Sequence, residues 1–183
     1  MTNSQNFLRT GSSYTENGFT VSQFGPQAPD TLAAFGTQAS DYTGSAALFN
    51  TNTVGAVQLT KVGGDAFNLS SIDLSTFGKV TPSTVAFIGT RADSTTVNQS
   101  FTTDAIGSTI ETFNFNNFTN LVSVNWTQNF TNLHQFDNIN VSAVNATAVP
   151  EPFTILGALF GASYGVSLKR KLAKEQADKG SID

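Results

Sequence analysis

The sequence predicts an all-β protein, an antiparallel β-sandwich of jelly-roll type, with one transmembrane helix near its C-terminal end. Three observations lead there. Apolar and polar residues alternate with a period of two in one short segment after another, and no window before residue 149 sustains a 3.6-residue period. Gly, Pro, Asn and Ser punctuate those segments. A long apolar run without charge, Phe153–Leu168, is followed directly by Lys169, Arg170 and Lys171.

Taken in order, Phe19–Phe24 is β-branched and aromatic and is closed by Gly25 and Pro26. Val57–Lys61 alternates cleanly into a turn at Gly63, Gly64 and Asp65. Phe67–Leu69 resumes the alternation, but Ile72–Leu74 has the opposite parity. A β-bulge at Ser70 and Ser71 would return the apolar side chains inward. Val85–Ile88 is a short apolar run ending at Gly89, and Val97–Phe101 and Ile110–Phe115 follow. Val122–Trp126 alternates with Ser123 and Asn125 on its other face. The last strand, Phe136–Val141, breaks parity once, between Phe136 and Ile139. About eight short strands of this kind suit two antiparallel sheets on one Phe-rich core; an up-and-down barrel is the runner-up. The echo of Asn117–Leu121 in Asn129–Leu133 is too short for a solenoid unit and reads as two similar approaches to strands.

Composition narrows the function classes. Fourteen of the 16 phenylalanines precede residue 149, ample apolar area for a core, so disorder is not expected. Residues 1–149 hold nine acidic and four basic residues, a net charge of −5 by counting, with no cationic cluster for nucleic acid. The absence of cysteine excludes disulfides, thiolate nucleophiles and Cys-type metal sites. His134 is the only histidine, so a two-histidine metal site is impossible. A lone histidine opening a strand reads as a surface or edge residue. No Gly-x-Ser-x-Gly elbow accompanies it, and no phosphate-binding glycine loop occurs. Glycoside hydrolysis needs two carboxylates facing across a cleft, and Glu16, Glu111 and the aspartates cannot be paired from sequence alone. No catalysis and no cofactor are expected. Asp137, between apolar positions of the last strand, is a weak calcium candidate. Its plainer reading is an outward polar residue on an edge strand, or a carboxylate accepting backbone hydrogen bonds.

Three segments follow: a β-sandwich domain over 1–148, a C-terminal signal over 149–174 and a polar tail over 175–183. Pro150 and Pro152 hold Val149–Glu151 extended, a shape that suits a processing enzyme's groove, and Pro152 can open a helix. Phe153–Leu168 is 16 residues long, just short of an ordinary span. Its seven Phe, Ile, Leu and Val residues supply roughly −2 to −4 kcal/mol toward insertion. Snorkelling of Lys169 and Arg170 adds to that, and the basic cluster Lys169, Arg170 and Lys171 leaves the body outside by the positive-inside rule. Gly157, Gly161 and Gly165 make a small-residue face suited to helix packing.

Val149, Pro150, Glu151 and Pro152, the short glycine-containing span and the Lys/Arg cluster together resemble the PEP-CTERM sorting signal of bacterial exported proteins, also labelled an ice-binding protein C-terminal domain. The resemblance covers residues 149–174. It implies recognition at Pro150, Glu151 and Pro152 by an exosortase-type membrane transpeptidase, removal of the span, and a bacterium that makes exopolysaccharide or biofilm. Tyr14–Phe19, Phe67–Leu74 and Phe136–Ile139 also resemble the β-rich domains that often precede this signal. Export calls for a leader, and Met1–Thr10 has no charged n-region followed by an apolar stretch, so export requires either that the gene model starts late or that the chain is a fragment.

The sequence therefore reads as a non-enzymatic exported protein, anchored in the inner membrane by its C-terminal helix and then sorted to the cell surface or matrix. Its partners would be the membrane and the processing enzyme, with polysaccharide added in the alternative reading. The alternative is a carbohydrate-binding module or adhesin in the same place, with Tyr42 or Trp126 as a stacking platform; core burial is the stronger reading of Trp126. A surface hydrolase ranks third.

Overall fold

The computed structural model describes residues 7–25, 29–52, 55–76, 81–106, 109–128, 131 and 133–144. The chain divides into two compact units, Met1–Val144 and Asn145–Asp183. The sorting motif, the apolar span with Gly157, Gly161 and Gly165, and the basic cluster all lie outside the described residues.

Twelve strands and no helix occur among the described residues: β1 (Phe7–Gly11), β2 (Ser13–Glu16), β3 (Phe19–Phe24), β4 (Leu32–Phe35), β5 (Leu48–Asn50), β6 (Ala56–Lys61), β7 (Phe67–Thr76), β8 (Thr84–Arg91), β9 (Thr96–Thr102), β10 (Glu111–Asn114), β11 (Leu121–Thr127) and β12 (His134–Ala143). Every ladder is antiparallel. One layer runs β1-β4-β5-β12-β7, with β10 on β7. The other runs β2-β3-β6-β11-β8-β9. The layers touch at one ladder pair, Leu121↔Phe67, which makes the corner of a β-sandwich. Few strands pair with their sequence neighbours, so the chain does not follow an up-and-down barrel order.

The parity breaks sit where the alternation placed them. Against β12, β7 carries one extra residue at Ser70, between Leu69 and Ser71. In turn, β12 carries one extra residue between Asp137 and Asn140. Each bulge lets one strand keep its apolar side chains on the core face through a change of parity. The freed backbone of β7 bonds elsewhere: Phe115 N–H donates to Ser70 O and Leu69 N–H to Phe118 O, both at 2.9 Å.

Four strands were not anticipated: β1, β2, β4 and β5. β4 and β5 are buried on both faces, so they do not alternate. Gly89 also departs from expectation, since β8 continues through it. A Cβ there would lie 2.9 Å from Leu121 Cδ2 and 3.0 Å from Val97 Cγ1, so close packing demands glycine.

The core is aromatic. Phe87 stands 5.1 Å from Phe115 and 5.9 Å from Phe101, centroid to centroid. Trp126 lies 5.5 Å from Phe87 in its own layer and meets Phe136 of the opposite layer edge-on at 5.1 Å. These offset and edge-on contacts are the favoured ring geometries, and burying each such ring stabilises the fold by roughly 2–3 kcal/mol.

Candidate functional site

The first layer is incomplete beside β12. β5 is three residues long and meets β12 at a single pair, Phe136↔Leu48. From Asp137 onward, no strand flanks that side of β12 among the described residues. A groove of about 770 Å³ opens there. Its base is apolar, with Val21, Leu59 and Phe136 buried. Its rim is polar and aromatic and comes from the β2–β3 hairpin, the segment before β5, and β12.

The hairpin is set by two residues. Asn17 and Gly18 have φ of 50° and 79°, the double left-handed turn whose twist matches antiparallel strands, and Glu16 pairs with Phe19. Tyr14 sits opposite Val21, so Tyr14, Glu16, Phe19 and Val21 share the face toward the groove. Tyr14 Oη donates to Glu16 Oε2 at 3.2 Å. On the other face, Thr15 and Thr20 hydroxyls bond at 2.9 Å.

The β12 bulge shapes the opposite wall. Asn138 takes a φ of 45°, which brings its amide inward. Its Nδ2 donates to Asp73 Oδ2 at 2.7 Å, and its backbone N–H donates to Asp137 Oδ1 at 2.8 Å. Asp73 and Asp137 face each other directly across β7 and β12, a like-charge placement that costs stability unless donors surround it. Thr112 Oγ1 donates to Asp73 Oδ1 at 2.6 Å, and Ser45 Oγ donates to Asp137 Oδ2. Asn138 thus bridges the two carboxylates, and Ser45 ties the segment before β5 to β12.

The field in the groove is negative. Glu16 and Asp137 line it, and no lysine or arginine does among the described residues. The Tyr14 phenol is pushed above its ordinary range, first by burial, then by its hydrogen bond to Glu16 and the charges of Glu16 and Asp137. It therefore remains a protonated donor.

The structure sorts the candidates. Trp126 is 2% exposed among Phe87 and Phe136 and offers no face to a ligand, which removes it as a platform. Tyr42 is half-buried on the groove, as a platform requires. His134 is 1% exposed inside the sandwich, correcting the surface reading. Asp137 lies where β12 is paired with β7 on one side and open on the other, and it accepts the Asn138 backbone N–H, as its plainer reading held. No three His, Cys, Asp or Glu residues assemble as a metal site among the described residues. Tyr14, Glu16 and Asn138 were missed as groove residues. The Asn17-Gly18 dipeptide was a signal that could have found the first two.

No protein-family model matches the chain, and no curated protein matches it. Among solved structures, two single-residue mutants of a family 29 carbohydrate-binding module are similar at TM-score 0.43 and 12% identity. They cover 75% and 80% of this chain and 89% and 96% of their own. A further family 29 module is similar at TM-score 0.42 and 10% identity, over 79% of this chain and 97% of its own. A likeness of this degree says nothing about ligand or residue roles.

Proposed function

We propose that the β-sandwich is a non-catalytic glycan-binding module whose site is the groove between the β2–β3 hairpin and β12. One observation carries the reading: Tyr14 and Tyr42 flank an apolar base beneath a rim of Glu16, Asn17, Asp137, Asn138 and Asn140. Sugars present apolar C–H faces and a dense array of hydroxyls. A concave site with an apolar base, aromatic rings and a few placed amides and carboxylates answers both. Asn138 and Asp137 are locked by their mutual bonds and by Asp73 and Ser45, so part of the rim is preorganised.

The test is affinity electrophoresis of the purified full-length chain against a panel of soluble polysaccharides. Retardation by at least one of them, lost in Tyr42→Ala with the thermal melt intact, is expected. Retardation unchanged in Tyr42→Ala and in Tyr14→Ala would remove the groove from the function.

A second reading, a surface glycoside hydrolase, draws on the presence of Glu16 and Asp137 in one groove. It ranks second because Ser45 Oγ and the Asn138 backbone N–H occupy both oxygens of Asp137, which ties that carboxylate into the wall instead of presenting it to a scissile bond. Release of reducing ends from any bound polysaccharide, abolished in Glu16→Gln, would reverse that order.

We place this module at the cell surface or in the extracellular matrix. The support is the sequence of residues 149–174: an extended Pro150, Glu151, Pro152 motif, a marginal span and a basic stop. In a bacterium with an exosortase-type enzyme, the tagged chain expressed behind an export leader should reach the surface, and a variant with Ala at 150–152 should stay in the inner membrane. Surface display of both would sink the sorting proposal.

A further inference from the structure

We infer that the groove selects its glycan by charge, taking chains with free amino groups ahead of neutral ones and neutral chains ahead of acidic ones. The inference rests on the glycan-binding reading of the same groove and names the chemistry it prefers.

The charged groups lining the groove are Glu16 and Asp137, one on each wall. The three described basic side chains are engaged elsewhere: Arg9 on Asp30 O at 2.9 Å, Lys61 on Asp65 at 3.0 Å, and Arg91 on Asn117 O at 3.0 Å. Glu16 is exposed and accepts a long bond from Tyr14 Oη, a neutral donor that leaves its charge uncompensated. Burial first, and then the Glu16 hydrogen bond and the charges of Glu16 and Asp137, keep the Tyr14 phenol protonated as a donor on the same wall.

Beyond the lining, residues 1–149 carry a net negative charge, so the long-range field adds to the local one. A sugar ammonium brings three donors and the missing positive charge. An acetylated amine keeps the shape but loses the charge, and a uronate meets two carboxylates.

Isothermal titration of the full-length chain with three tetrasaccharides tests this: glucosamine, N-acetylglucosamine and glucuronate oligomers. At low ionic strength the amino form should bind about fivefold tighter than the acetylated form, the range of one or two exposed charge pairs, and the uronate weakest. The gap should close toward about 1 M salt, where the Debye length falls to ~3 Å. Glu16→Gln should narrow the gap, while Asp65→Asn, on the Lys61 turn, should leave it. Equal or tighter binding of the acetylated or acidic form overturns the inference. So does an equal narrowing in Asp65→Asn, which would make the preference a property of overall charge, and so does failure of all three to bind. Each of those results leaves the groove reading standing if Tyr42→Ala still abolishes retardation by another polysaccharide. Loss of that dependence overturns the reading itself.

Discussion

The two sides of this sandwich are built on opposite terms. Around β8 and β9 the ladder is regular, and the two strands pair without interruption from Thr84↔Thr102 to Thr90↔Thr96. Phe87, Phe101, Phe115, Phe118 and Trp126 fill the space beneath them. Around β12 the ladder to β7 is bulged twice, the strand on the other side stops after three residues, and polar groups hold the rim. The irregular side is open because a strand ended early, and its cohesion comes from hydrogen bonds that also orient the groove.

Substitutions should separate the two sides. The largest effect is expected at Trp126→Ala, which empties the space between Phe87 and Phe136 and should cost about 3–5 kcal/mol in urea denaturation. Trp126→Phe should cost much less. The indole N–H is buried without a hydrogen-bond partner, so its removal forfeits no bond. A loss in Trp126→Phe close to that of Trp126→Ala would contradict this account.

Gly89→Ala comes next, at roughly 1–3 kcal/mol, because the methyl must displace Leu121, Val97 and Phe118. Glycan binding by the folded fraction should be unchanged, since none of those residues lines the groove.

On the open side, Gly18→Val forces a β-branched residue to a φ of 79° and should cost about 1–2 kcal/mol. Its effect on retardation by a bound polysaccharide should exceed its effect on melting, because the hairpin places Tyr14 and Glu16. Equal binding by the variant would detach the hairpin from the site.

The smallest effect is a titration. The Tyr14 phenol is raised in the folded state, so its contribution to stability is complete below about pH 10 and fades as pH climbs through the folded value. Ultraviolet titration should show one late-ionising tyrosine that disappears in Tyr14→Phe and ionises earlier in Glu16→Gln. An unchanged profile in Glu16→Gln would leave burial and the Asp137 charge as the causes.

How far the sequence could be read follows the same division. β3, β6 and the strands from β8 to β12 announce themselves, because each presents one face to the core and one outward. The bulges of β7 and β12 were legible for the same reason, since a parity break in Phe67–Leu74 or Phe136–Ile139 has few other remedies. β4 and β5 gave no such signal because both their faces are covered. β2 is mostly exposed and polar, so only its turn betrays it. The groove takes Tyr14, Glu16 and Leu48 from those unread elements and sets them against β12, which is why Trp126 drew attention and Tyr14 did not.

Alternation, aromatic content and turn residues by themselves determined that this chain is an antiparallel β-protein with a Phe-rich core, and local parity located its bulges. Those are short-range properties, written in residues two to four apart. Which strands become neighbours, where β5 ends against β12, and that Asp73 faces Asp137 beneath Asn138 were decided by tertiary structure alone. They depend on pairings between segments up to a hundred residues apart, which no local pattern encodes.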